Sequence, residues 1–211
     1  REKAGVIPTS EWKLARFKKP WQAGETISVS IGQGFNSVTP LQLAVAYSAL
    51  ANGGTVYRPQ IVKKIEATDG RLIKAMKPEK QETVPMSSKT TALLKQGLWG
   101  VVNEPRGTGG ALRRAEMDVC GKTGTAQVVG LPASEKARRA MQSARIYQDH
   151  ALFTCFAPCR NPEITVAVIV EHGGHGGSAA APVARKVIDA YYKKKKYGDK
   201  MPAEEEEKLE E

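Results

Sequence analysis

A lysine, two threonines and a glycine stand together at Lys122-Thr123-Gly124-Thr125, inside the run from Cys120 to Val129. That run alternates and carries β-branched residues, so it reads as a strand. On an extended backbone Lys122 offers a fixed positive charge and Thr123 and Thr125 offer hydroxyl donors. Gly124 omits a side chain, so another backbone can come close. These are the parts of an edge that grips a peptide. Main-chain hydrogen bonds hold the peptide while the hydroxyls and the lysine hold a carboxylate, and a backbone N–H near Thr125 suits an oxyanion. Strict alternation puts Lys122 and Thr125 on opposite faces, so only a position at a sheet edge lets both reach one site.

Other chemistries fit less well. Gly121-Lys122-Thr123 matches the end of a phosphate-binding loop, but that loop needs a glycine at position 116, where Glu116 stands. It also needs a helix after the motif, where this sequence reads as a strand. Ser10-Glu11-Trp12-Lys13 spaces a hydroxyl and an amine as S-x-x-K, yet it lies in a polar, aperiodic stretch between Pro8 and Pro20 that reads as surface-wrapping chain. Glu171, His172 and His175 invite a metal, but histidines three apart in a glycine-rich loop have no fixed geometry, and a solvated turn is expected. Cys120, Cys155 and Cys159 are too few for a disulfide framework, at least one must be unpaired, and buried, inert thiols are expected.

The elements that must position the strand follow from local pattern. Residues 1–26 show no sustained period. Ile27 to Ile31 alternates and predicts a short extended segment that breaks at Gly32-Gln33-Gly34. Thr39-Pro40 predicts a helix start and Asn52-Gly53-Gly54 its left-handed stop, giving a helix from Pro40 to Ala51. Alternation around Asp69-Gly70 predicts a hairpin. A second helix is expected from Ser88 to Val102, with Leu94, Leu98 and Val101 on its apolar face, followed by a loop from Asn103 to Gly110. The basic residues 133–148 read as a short helix or loop. Ala151–Ala157 and Ile164–Val170 are two strands whose short connection implies antiparallel pairing. A final helix is expected from Ala180 to Tyr192.

At 211 residues and 41% hydrophobic the chain can bury a real core. The formal charge of +10 reads as solvated surface. Aromatic residues are few and paired Cys/His signatures are missing, which argues against nucleic acid. No apolar run is long enough to span a membrane. The sequence opens at Arg1 as if cut from something longer.

Ile31-Gly32-Gln33-Gly34, Thr39-Pro40-Leu41-Gln42-Leu43-Ala44, Asn52-Gly53-Gly54 and Lys122-Thr123-Gly124-Thr125-Ala126-Gln127 occur in the order seen in class B penicillin-binding proteins, in which K-T-G is a signature motif. The sequence resembles the C-terminal part of their transpeptidase domain. Pro8 to Lys13 and Phe17 to Trp21, with the long insert after the motif strand, resemble the enzymes of cell elongation in rod-shaped bacteria.

The resemblance implies an α+β fold of the penicillin-binding/β-lactamase-like type, an antiparallel sheet flanked by helices. Residues 1–200 would form the C-terminal part of the domain, with the last three strands and the final helix, and 201–211 an acidic, disordered tail. It implies a serine D,D-transpeptidase that cross-links peptidoglycan stem peptides, is acylated by β-lactam antibiotics and uses no cofactor. Elongation-complex membrane proteins would be partners, at the periplasmic face of the inner membrane, with the parent anchored by an upstream segment. Lys122 would support the nucleophile's network, Thr123 and Thr125 would hold the carboxylate, the Thr125 N–H would serve the oxyanion hole and Gly124 would give clearance. The family's nucleophile motif S-x-x-K and its S-x-N or S-x-D motif lie upstream of Gly-Gln-Gly. The chain is therefore expected to carry half a site and to be inactive alone, and a noncatalytic binding or scaffold module of the same fold is the competing reading.

Overall fold

The computed structural model describes residues 3–128, 134 and 145–198. The order of elements is α1 (Ser10–Phe17), α2 (Ala23–Ser30), α3 (Pro40–Ala51), β1 (Thr55–Tyr57), β2 (Lys64–Glu66), β3 (Leu72–Ala75), β4 (Lys80–Thr83), α4 (Ser88–Asn103), β5 (Cys120–Ala126), β6 (His150–Ala157), β7 (Ile164–Val170) and α5 (Ala181–Tyr197).

The antiparallel order β5-β6-β7 makes the main sheet, with Lys122 opposite Thr154 and Phe153 opposite Val168. Period-two alternation sends its side chains into two cores. Phe153, Cys155, Ala151 and Ala157 pack with Val102, Leu112, Ala184 and Ile188, the last two on α5. Phe156 and Cys120 face the other way, toward Ala51 and Tyr47 of α3 and Leu98 of α4. The sheet is thus sandwiched between α5 and the α3–α4 pair, and β5 is an edge strand that β6 alone pairs among the described residues.

The expected helix from Pro40 to Ala51 forms with those bounds. Thr39 Oγ1 accepts from the Gln42 N–H at 3.1 Å while Gln42 Oε1 accepts from the Thr39 N–H at 2.8 Å, a closed capping box. Gly53 then takes φ +88°, a left-handed conformation that favours glycine. The Asp69-Gly70 hairpin forms as β2–β3. The segment β4, which has no strong strand pattern, pairs with β1.

Several segments fold differently from their local sequence pattern. Residues 10–17 are helical, because Thr9 Oγ1 caps the Trp12 N–H at 3.1 Å and Lys18 closes the end at φ +57°. The alternation from Ile27 to Ile31 belongs largely to α2, not to a strand. The Glu25 carboxylate takes the Gln22 N–H at 2.7 Å, Ser30 Oγ donates to the Ile27 carbonyl at 2.8 Å, and Ile27 stays exposed. Side-chain bonds to the local backbone favour the helix over a strand with no neighbour to pair. On α4, Leu98 and Val102 turn inward while Leu94 is exposed. The cysteines are not three thiols: Cys120 and Cys159 are joined in a disulfide, and Cys155 alone is free and buried. The final helix runs on to Tyr197, where Lys194 to Lys196 complement its C-terminal dipole. Of the 133–148 segment, Arg145–Tyr147 forms a 3-10 turn. The rest of it, apart from Ser134 and Gln148, and the 201–211 tail lie outside the described residues.

Candidate functional site

The Lys-Thr-Gly-Thr run occupies the middle and end of β5, on the free edge of the main sheet. Lys122 leaves the face that packs on α4, and it lines an open depression of about 620 Å³ with Leu93, Gln96, Gly97 and Val101 of that helix. Thr123 leaves the opposite face. There its Oγ1 lies 2.8 Å from Thr108 Oγ1, which comes from the turn after α4.

The edge brings these two faces together. The Lys122 ammonium curls over the strand, donating to the Thr123 carbonyl at 3.0 Å and reaching Thr123 Oγ1 at 3.5 Å. A positive charge and a pair of hydroxyls therefore sit within hydrogen-bond reach of one another at an open sheet edge. That is a donor set suited to a carboxylate.

Beside Gly124 the chain's own backbone returns, and a Cβ on Gly124 would itself meet Leu152 Cβ at 3.2 Å. The turn Gly176–Ala180 packs against Gly124 so closely that a Cβ on Gly176 would lie 2.7 Å from the Gly124 carbonyl oxygen and 2.2 Å from that of Leu152. At Thr125 the backbone carbonyl accepts a 2.5 Å hydrogen bond from Gln33 Nε2. Gly32 and Gly34 flank that glutamine at φ +79° and +70°, so the tight turn carries its side chain to the strand.

No local pattern in the sequence marks Thr108, Gln33 or Gly176 as part of the site. Thr108 and Gln33 each sit among glycines in a short polar run. That composition signals a sharp turn but not its neighbour in space.

The S-x-x-K pair lies on α1, yet its groups are engaged elsewhere. Lys13 is 5% exposed, and its ammonium donates to the Pro20 carbonyl at 2.8 Å and pairs with the Glu25 carboxylate at 2.5 Å. Ser10 Oγ donates instead to Glu11 Oε1 at 3.1 Å. The Lys13 ammonium, bound to a carboxylate, is not presented to Ser10 as a base. His172 is engaged as well: its backbone N–H donates to His150 Nδ1 at 2.9 Å and its ring Nδ1 meets the Gln148 carbonyl at 3.0 Å. Among the described residues no group of three His, Cys, Asp or Glu is arranged to hold a metal.

A helix-flanked antiparallel sheet with a lysine-threonine-glycine motif on its edge strand defines the penicillin-recognising transpeptidase class. The chain belongs to that family: the model described as penicillin binding protein transpeptidase domain matches residues 1–189. It is 43% identical over 196 residues to the peptidoglycan D,D-transpeptidase MrdA of Haemophilus influenzae, covering 90% of this chain and 29% of that protein. To MrdA of Escherichia coli K12 it is 40% identical over 189 residues, 89% of this chain and 29% of that one. Among solved structures it is similar to Pseudomonas aeruginosa PBP2 in complex with WCK 5153, at TM-score 0.70 and 35% identity, covering 96% of this chain and 41% of that one. It is also similar to Helicobacter pylori PBP2 in its complex with MreC, at TM-score 0.69 and 27% identity, covering 91% and 32%. The chain thus spans about 29% of the length of the curated relatives it matches.

Proposed function

We propose that this chain forms the substrate-binding wall of a peptidoglycan D,D-transpeptidase of the PBP2 type, a serine acyltransferase that cross-links stem peptides and is a target of β-lactams. The observation that carries this reading is the meeting of Lys122 Nζ and Thr123 Oγ1 within 3.5 Å on the free edge of β5. That edge lies inside the region matched by the transpeptidase domain.

In this role an extended stem peptide lies along β5, adding to the sheet by main-chain hydrogen bonds. Lys122, Thr123 and Thr125 hold its terminal carboxylate, or that of a β-lactam, and Gly124 leaves room for its backbone. The Thr125 N–H donates to the oxyanion that forms when a serine attacks the carbonyl, where a preorganised donor acts most strongly. Lys122 also takes part in the proton network of that serine. Attack requires an activated nucleophile in contact with its base. Ser10 and Lys13 do not make that contact, so the serine belongs to the remainder of the enzyme. The working site stands at the periplasmic face of the inner membrane, and membrane proteins of the elongation machinery are its partners, as MreC is for the Helicobacter pylori PBP2 structure.

Incubation with a labelled penicillin, read by intact mass, tests both halves of this reading. The 211-residue chain alone should take up no covalent label, and an adduct on Ser10 would overturn the assignment of the nucleophile. A longer polypeptide of this protein that contains the serine should be acylated stoichiometrically. There Lys122→Ala should slow acylation at least a hundredfold, and an unchanged rate would sink the role given to Lys122.

A further inference from the structure

The Cys120–Cys159 disulfide sits two residues from Lys122, where the motif strand begins. Among the described residues β5 is held by a ladder on one side only, to β6, running from Cys120 opposite Phe156 to Ala126 opposite His150. At the Ala126 end the two strands are joined by residues 127–149, a connection too long to fix the ladder as a tight hairpin does. At the Cys120 end no chain connection exists, and the disulfide supplies one. It joins the first residue of β5 to Cys159, in the turn that leaves β6.

The surroundings reinforce the same point. The Cys159 N–H donates to the Asp118 carbonyl at 3.0 Å, so the residues just before β5 are tied to the same turn by backbone. Cys120 is fully buried and packs with Phe156, Ala51 and Leu98. The link therefore lies beneath the strand, between it and the α3–α4 layer, and leaves the free edge open. Cys155, opposite Gly121, points into the other core and is not placed to exchange with it.

We propose that this disulfide is a positioning staple for the substrate wall. It holds Lys122, Thr123 and Thr125 in register on β6 while a peptide adds along the opposite edge of β5. An edge strand held by a single ladder opens locally more readily than one paired on both sides, and a covalent tie at its open end opposes that. The consequence for catalysis rests on the transpeptidase reading above; the effect on the strand does not.

The bond itself is checked by unfolding the oxidised chain and alkylating it. One label, on Cys155, is expected, and three would remove the staple. Hydrogen exchange with mass spectrometry on the 211-residue chain then compares it with Cys159→Ser and with the double variant Cys120→Ser/Cys159→Ser. The protected amides of 120–126 should exchange at least tenfold faster in both variants, with those of β7 and α5 changed less than twofold. Unchanged exchange in 120–126 overturns the proposal. So does an equal acceleration through β7 and α5, since the bond would then only stabilise the whole fold.

In the longer polypeptide containing the serine, Cys159→Ser should lower the maximal acylation rate by penicillin at least fivefold, with the concentration for half-maximal rate moving less than twofold. The reverse pattern overturns a positioning role. If the unaltered longer polypeptide takes no label, the transpeptidase reading fails, and the exchange result alone decides the staple.

Discussion

The hydroxyls of Thr108 and Thr123 lie 2.8 Å apart, linking the turn after α4 to the motif strand across fifteen residues of sequence. Gly177 packs closely on Thr108 as well: a Cβ there would come within 2.2 Å of the Thr108 carbonyl oxygen. The Thr123 hydroxyl, which we propose binds the substrate carboxylate, is therefore oriented by a side chain with no recognisable motif of its own.

Replacing Thr108 by valine keeps the shape and removes the partner of Thr123 Oγ1. The pair is solvent-exposed, so the freed hydroxyl can turn to water, and the loss in stability should be about 0.5–1 kcal/mol. The denaturation midpoint in urea measures that. In the serine-containing polypeptide the same change should slow acylation by a larger factor than this stability loss implies, because an oriented hydroxyl becomes a rotating one.

What sequence revealed and what it hid divide along the range of the interactions. The helix α3 was legible because its start and stop are local, a capping box from Thr39 to Gln42 and a glycine past its end. The motif strand was legible because alternation and the Lys-Thr-Gly-Thr run are properties of consecutive residues. The helix α2 was not, since its Ile27-to-Ile31 alternation mimics a strand and the deciding bonds come from Glu25 and the serines. The Cys120–Cys159 bond was hidden for a related reason: thirty-nine residues separate the two, and only the register of β5 on β6 brings them to a Cα separation of 5.1 Å. Thr108 and Gln33 reach the site through turns whose direction is set by the finished sheet.

Cys155 should behave as a chemically silent thiol. Burial pushes it up to about 12, so about one molecule in ten thousand carries the thiolate at pH 8. Iodoacetamide at that pH should leave the native chain unlabelled for hours and label it within minutes once unfolded, followed by intact mass. Rapid native-state labelling would mean that the core around Phe153 opens far more often than its packing implies.

Gly176 should tolerate no side chain. Alanine would place a methyl 2.2 Å from the Leu152 carbonyl oxygen and 2.7 Å from that of Gly124. Both are backbone atoms in the main sheet and cannot swing aside as a side chain would. A loss of about 2–3 kcal/mol is expected, the upper range for overpacking, read as a shift in the urea midpoint. A neutral Gly176→Ala would show that the turn and the strand are not in contact in solution. Gly24 is the control: a Cβ there meets nothing within 4 Å.

The ion pair between Lys13 and Glu25 gives a pH dependence of known sign. The Glu25 carboxyl is held below its ordinary value, chiefly by the hydrogen bond from Lys13 and then by the Gln22 N–H. A carboxyl that ionises more readily folded than unfolded contributes stability above its unfolded value and loses it as pH falls through the lowered folded one. Glu25→Gln removes this contribution and leaves Lys13, 5% exposed, facing a neutral amide. The urea midpoint of the unaltered chain should therefore exceed that of the variant by a constant amount near neutral pH. That gap should narrow steadily below the ordinary carboxylate range as Glu25 becomes protonated. The other carboxyl groups titrate alike in both proteins and cancel in the difference. A gap of equal size at pH 3 and pH 7 would show that Glu25 acts through packing alone, and that Lys13 is not held by its charge.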